Sequence, residues 1–251
     1  MDRCSIASEI LMLLVSTLIF IFIIPMAIRT STRSVYDMRT SSDIHAHKYD
    51  SWYDKHSKVF DSELAAIKKV LGHVHPQSRS IEIGVGTGRF AQALYIIHGA
   101  DPSREMLELA RERNIICTQA VAESLPFKDT SFDLAMMVTV DCFLDELKQA
   151  FSEVYRILEP GGRLVLGMID RNSELGTMYG KKYEGKHHKN GLDTCMRLHS
   201  VEEISACIHE AGFIDITMVQ TLFRPLEMIA YVEPVKSGCG DGGFVVIRAD
   251  K

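Results

Sequence analysis

The feature that most constrains this chain is the run Ile81-Glu82-Ile83-Gly84-Val85-Gly86-Thr87-Gly88-Arg89-Phe90. Apolar residues lead into three alternate glycines, and a helix-spaced apolar segment follows. Glycine lets the backbone turn tightly and approach a ligand with no side chain between them. The run predicts a strand, a glycine turn and a helix, the opening unit of a layered α/β sheet. A dinucleotide site calls for G-x-G-x-x-G, and its last glycine is Arg89 here. That substitution counts against a nicotinamide-dependent oxidoreductase, which stays as an alternative reading. A purely structural glycine turn is the plainer one.

The pattern on both sides of the run alternates between short apolar segments and helical periodicity. Val59, Phe60, Leu64, Ile67, Val70 and Leu71 predict a helix over 57–71, broken by Gly72 and Pro76. Strands are expected over 80–83, 97–100, 115–119, 132–140, 163–169, 213–220 and 244–248, and further helices over 90–97, 102–113, 144–158 and 201–212. Pro102, with Ser103 and Glu105 beside it, is placed at the start of its helix, and Pro160-Gly161-Gly162 reads as a turn. Strands separated by helices of this length predict a largely parallel sheet with helices on both faces, its ligand at the strand carboxyl ends.

Two further motifs fall at those ends. Gly99-Ala100-Asp101-Pro102-Ser103 follows the second strand, and Asp101 lies 17 residues beyond Gly84. A carboxylate near the expected offset of about 20 residues suits a ribose diol. Next comes Ala120-Val121-Ala122-Glu123-Ser124-Leu125-Pro126-Phe127 with Ser131-Phe132-Asp133, and then Arg156-Ile157-Leu158-Glu159-Pro160-Gly161-Gly162. Upstream stands Tyr49-Asp50-Ser51-Trp52-Tyr53-Asp54, with its tyrosines four apart on one helix face.

Together, over about residues 49–167, these motifs resemble the class I S-adenosylmethionine (SAM)-dependent methyltransferases of the methyltransferase type 11 family, quinone C-methyltransferases among them. The resemblance implies a Rossmann-like, seven-stranded, mostly parallel sheet with helices on both faces and one antiparallel strand, here around Gly243 to Ala249. It implies SAM as cofactor. Glu82, Gly84, Gly86 and Gly88 would approach it, Asp101 would hold its ribose and Met106 would lie against its adenine. Many relatives carry Asp where this chain has Val121, so adenine contacts would fall to backbone groups at Ala122 and Glu123. Tyr49 and Tyr53 would close over the cofactor as a lid, although a helix packing its aromatics is the plainer reading. An active enzyme would transfer methyl to a small molecule by in-line displacement; a SAM-binding module without catalysis is the other alternative.

On the acceptor side the candidates are Asp141, after the fourth strand, and Tyr179 and His199, within the long stretch 170–200. That stretch also carries Lys181, Lys182, Lys186, His187, His188 and Lys189, and reads as a lid or insert or as a solvated charge run. The glycine-rich segment 234–243 reads as a flexible turn or hairpin connection.

Composition narrows the partners. A net charge of −5 gives no basic face for nucleic acid. Six scattered cysteines, with no C-x-x-C pair, point away from a zinc site or a disulfide framework. No metal ligands are expected, and oligomeric state is not readable. The N-terminus departs from this ordinary pattern. Between Ile6 and Ile28 the one charged residue is Glu9. About 19 apolar residues span roughly 28 Å, close to a bilayer's hydrocarbon core. Residues 1–29 are therefore expected to form a hydrophobic, membrane-anchoring helix, followed by a polar linker over 30–43 and a methyltransferase domain over 44–251. Arg29, Arg33 and Arg39 would keep that domain in the cytoplasm. A cleaved signal peptide is one alternative, and a soluble cytoplasmic protein starting at Met38 is the other.

Overall fold

A computed structural model describes residues 46–72, 77–183 and 196–251. The expected N-terminal helix and linker lie outside the described residues, as do Lys186, His187, His188 and Lys189. Among the described residues no helix is long and apolar enough to cross a membrane.

Helices α1 (Ala46–Lys55) and α2 (Ser57–Leu71) precede the sheet. Then come β1 (Ser80–Ile83), α3 (Arg89–Ala93), β2 (His98–Asp101), α4 (Arg104–Glu112), β3 (Ile116–Gln119) and β4 (Phe132–Val138). The second half holds α5 (Leu147–Ile157), β5 (Leu158–Ile169), α6 (Glu174–Tyr183), α7 (Val201–Glu210), β6 (Ile214–Thr221), β7 (Lys236–Ser237) and β8 (Phe244–Asp250). The sheet order is β3-β2-β1-β4-β5-β8-β6-β7. The pairs from β3 through β5 are parallel, and β8 is antiparallel to both β5 and β6.

Alternation within the strands sorts the core into two layers. Ala135 and Met137 of β4, Leu164 and Leu166 of β5, and Val245 and Ile247 of β8 pack against Phe151 and Val154 of α5 and Ile204 of α7. Leu134, Met136, Val138, Val165, Phe244 and Val246 face the other way, toward Ile67 of α2, Phe90 of α3 and Leu107 of α4. Both faces are covered, so the central strands read as unbroken apolar runs. Each of the larger of these buried side chains, Val, Leu, Ile, Met or Phe, contributes about 1.5–3 kcal/mol by leaving water.

The Rossmann-like, mostly parallel sheet matches the expectation, including its antiparallel strand near the carboxyl end. Four details differ. Among the described residues the sheet has eight strands, because Lys236 and Ser237 pair with Gln220 and Val219 of β6, turning part of the glycine-rich segment into a hairpin. The helix expected over 90–97 stops at Ala93, and Tyr95 follows in a left-handed conformation (φ 58°). Pro102 does not open α4: Ser103 caps it, its hydroxyl accepting from the Met106 N–H. Pro160-Gly161-Gly162 stays within β5 as an irregularity, because the Gly161 N–H and Gly162 carbonyl pair with Lys251.

Candidate functional site

The strand carboxyl ends meet at the glycine turn between β1 and α3. The N–H groups of Gly84 and Val85 both donate to the Ala100 carbonyl, at 2.8 and 3.0 Å, binding the turn to β2. The glycines serve different ends. A Cβ on Gly84 (φ +72°) would lie 2.8 Å from the Val140 Cβ, so Gly84 admits the turn that follows β4. Gly88 lies against Ala110 of α4. At Gly86 (φ +52°) the nearest atom to a Cβ would be Tyr49 Cε1, at 3.9 Å. Protein packing explains the first two glycines, whereas Gly86 leaves a cradle that a side chain would fill.

Asp101 closes the other side of that cradle. Its two carboxylate oxygens accept from the Gly86 and Ser103 N–H groups, each at 2.9 Å. Burial pushes its pKa up to about 6, against the lowering by these two donors. Each oxygen keeps a further lone pair, which is what a vicinal diol needs. Glu82, one position before the end of β1, is 2% exposed, and its Oε2 has no partner among the described residues. Burial holds its carboxyl well above the usual range, the Ala91 N–H opposing this and Asp101 adding to it.

Helix α1 lies over the turn and is fastened there by charge. Asp50 accepts from Arg89 at 2.7 and 2.9 Å, from Arg113 at 2.9 Å and from the Thr87 hydroxyl at 2.7 Å. Arg89 also reaches Asp54, and Arg113 donates to the Thr87 carbonyl. Desolvation works against the Asp50 charge, yet the donors, Arg89 first, lower its pKa to about 2. The residue that breaks the dinucleotide pattern is thus the anchor of the overlying helix. The sequence offered a signal in the aspartates four apart, Asp50 and Asp54, which share one helix face.

Fastening α1 turns its tyrosines inward. The Tyr49 and Tyr53 rings meet edge to face at 5.5 Å, and Tyr53 packs against Phe60 and Phe90. Tyr49 leaves 39% of its surface to solvent. Desolvation at its hydroxyl end nevertheless pushes its pKa up to about 12, with Tyr53 and Thr139 opposing the shift. Tyr179, on α6, reaches the same group, acting on the Tyr53 hydroxyl. Sequence reasoning missed one member. Glu63 of α2 is 5% exposed, sits electrostatically beside both tyrosines, and has an Oε2 without a partner among the described residues. Its signal was a carboxylate four residues from both Val59 and Ile67, in the middle of an apolar stripe.

The remaining candidates are more dispersed. Asp141 opens a 3-10 turn after β4, where the neighbouring Val140 touches Gly84. It is 1% exposed, its Oδ2 has no partner among the described residues, and burial raises its pKa to about 7. Met106 packs with Ala46 and Leu109 beneath α1, so the side chain assigned to an adenine is already covered. Ala122 belongs to the core. The Glu123 side chain is engaged elsewhere: its Oε1 accepts from the Asp145 and Glu146 N–H groups, so the carboxylate satisfies free donors at the start of α5. His199 holds the base of the 170–200 insert, its carbonyl accepting from the Arg171 N–H at 3.0 Å. Its ring is buried, with Nδ1 3.7 Å from Glu203, and desolvation lowers its pKa.

The sequence and fold also match known proteins. The family model described as a methyltransferase domain matches residues 81–166. An uncharacterised protein of Methanocaldococcus jannaschii is 40% identical over 210 residues, covering 83% of this chain and 98% of its own length. A crystal structure of a SAM-dependent methyltransferase from Thermotoga maritima, named a possible histamine N-methyltransferase, is 42% identical. It covers 83% of this chain and 97% of its own, with a TM-score of 0.76. Demethylmenaquinone methyltransferase of Chlorobaculum parvum is 30% identical over 161 residues, 60% of this chain and 66% of its own length.

Proposed function

This chain belongs to the class I SAM-dependent methyltransferases, and on that premise we propose that its domain, residues 44–251, passes methyl to a small-molecule acceptor held beneath α1. SAM supplies an activated methyl group on a sulfonium centre. The residues fit it: Gly86 leaves room for close backbone approach, Asp101 presents acceptors for the ribose diol, and Tyr49 covers the turn. The observation that carries the reading is the joint between Asp101 and Gly86, which fixes the carboxylate at the edge of the open cradle.

The protein's contribution is positioning. In-line displacement needs acceptor and methyl in near-attack geometry, which can lower a barrier by roughly 7–11 kcal/mol. In this reading the glycine turn and Asp101 hold the donor, the α1 tyrosines exclude water, and the Thr139–Asp141 turn borders the acceptor. Calorimetric titration with SAM and, separately, NADH tests it. Micromolar SAM binding without NADH binding is expected; a folded protein that binds only NADH would sink it. The same proposal keeps residues 1–29 as a membrane tether, checked by fractionating the full chain beside one starting at Met38.

A further inference from the structure

Helices α1 and α2 are joined to the sheet in different ways. Helix α2 buries six residues along its length, whereas α1 buries Ala46 and Tyr53. One residue, His56, separates them, outside helical geometry at φ −118° and ψ 42°. Its ring stacks on Trp52 at 4.2 Å, and its backbone N–H donates to the Trp52 carbonyl at 3.0 Å. Hinges are commonly a few residues at element ends that absorb a backbone rotation. A helix with so little core can turn about His56 while α2 stays packed.

The far side of α1 is fastened at Asp50. One carboxylate oxygen accepts from the Thr87 hydroxyl and Arg89 Nε, both at 2.7 Å. The other accepts from Arg89 and Arg113, both at 2.9 Å. Thr87 belongs to the glycine turn, Arg89 opens α3 and Arg113 follows α4, so three segments converge on one carboxylate of α1. Asp54, more exposed, adds a further bond to Arg89 at 2.6 Å. Tyr49 precedes Asp50, and its Cε1 lies 3.9 Å from the point where a Gly86 Cβ would stand. Gly84 and Gly88 are closed by Val140 and Ala110, so a ligand approaching the turn at Gly86 meets Tyr49.

We infer that α1 is a lid hinged at His56 and latched by Asp50, and that its release sets the rate of cofactor exchange. The inference rests on the methyltransferase reading and adds regulation of that same site. Thr87 stands between Gly86, whose N–H bonds Asp101, and Gly88, so the latch pulls on the cradle itself. Such coupling is reciprocal: a cofactor that orders the turn tightens the lid, and a loosened lid loosens the turn. A gate acts in both directions. Unlatching it speeds entry and exit together, whereas loss of a binding contact speeds mainly exit.

Trp52 is the one tryptophan of the chain and lies on α1 against the hinge, so its fluorescence reports the lid. The test is stopped-flow mixing of the full chain with S-adenosylhomocysteine, followed through Trp52, beside calorimetric titration. Asp50→Asn should raise the association and dissociation rates together, roughly tenfold each, the scale of losing charge-assisted bonds. Arg113→Gln, which leaves the Arg89 bonds in place, should raise both by less, and carries the test if Asp50→Asn does not fold. Raising salt from roughly 0.05 to 1 M should speed exchange in the wild type more than in Asp50→Asn. Faster dissociation with unchanged association in these variants, unchanged rates, or calorimetric binding without a Trp52 response would overturn the inference. Failure of S-adenosylhomocysteine to bind the wild type at all would instead remove the cofactor reading, and this one with it.

Discussion

At the scale of single residues, the three glycines of the turn separate folding from binding. Gly84→Ala brings a Cβ against Val140 in a left-handed backbone, and should destabilise the fold by about 1–3 kcal/mol. Among the described residues Gly86→Ala meets no atom closer than Tyr49, so its stability cost is set by the backbone conformation, about 1–2 kcal/mol. Its main effect should be on SAM affinity. Thermal unfolding and calorimetry on the two variants would show opposite rankings if the cradle is read correctly. Asp101→Asn should weaken SAM binding by roughly 1.5–3 kcal/mol, the scale for hydrogen bonds to a charged group. Because burial raises the Asp101 pKa to about 6, the wild-type dissociation constant should rise as pH falls through 6, while that of the variant stays flat. Asp101 was legible in the sequence because a strand-end carboxylate at that offset does a local job. The burial of Glu63 was not, since helical periodicity alone cannot tell a buried acid from a surface one.

At the scale of elements, α1 is held by a charged clasp more than by apolar contact. Ala46 and Tyr53 are its buried residues, whereas Asp50 joins two arginines and a threonine. Asp50→Ala should loosen the helix by on the order of 2 kcal/mol, since it removes charge-assisted bonds and strands two guanidiniums. Faster amide exchange confined to 46–55, with the sheet unchanged, is the expected reading; unchanged exchange there would assign the docking to the aromatics instead. The sequence predicted helix and strand identity well wherever an element packs on the sheet, as in α2 and β1. It failed where long-range partners decide. Pro160-Gly161-Gly162 has every local mark of a turn, but Lys251 supplies the hydrogen bonds that keep it in β5.

For the whole molecule, the buried acids set how stability responds to pH. The Glu63 pKa rises from 4.5 to about 8 on folding. Its contribution is therefore fully present below pH 4.5 and is lost as pH rises through 8. Glu63→Gln removes that loss, so the melting temperature of the variant should gain on wild type between pH 5 and about 8 and level off above it. A constant gap would mean that the carboxyl is not held neutral.

The sheet order has a consequence for how the chain is made. Strands β5 and β6 do not pair with one another; β8, which is synthesised after both, lies between them. As the chain leaves the ribosome, β1 to β5 have every partner needed to form their parallel half. Strand β6 and its small hairpin must wait, with an unpaired edge, until β8 emerges and slots into place. Emerging chains are exposed to misassembly during such an interval. A stalled chain would carry a finished cofactor cradle on an unfinished sheet, a state in which ligand capture precedes completion of the fold.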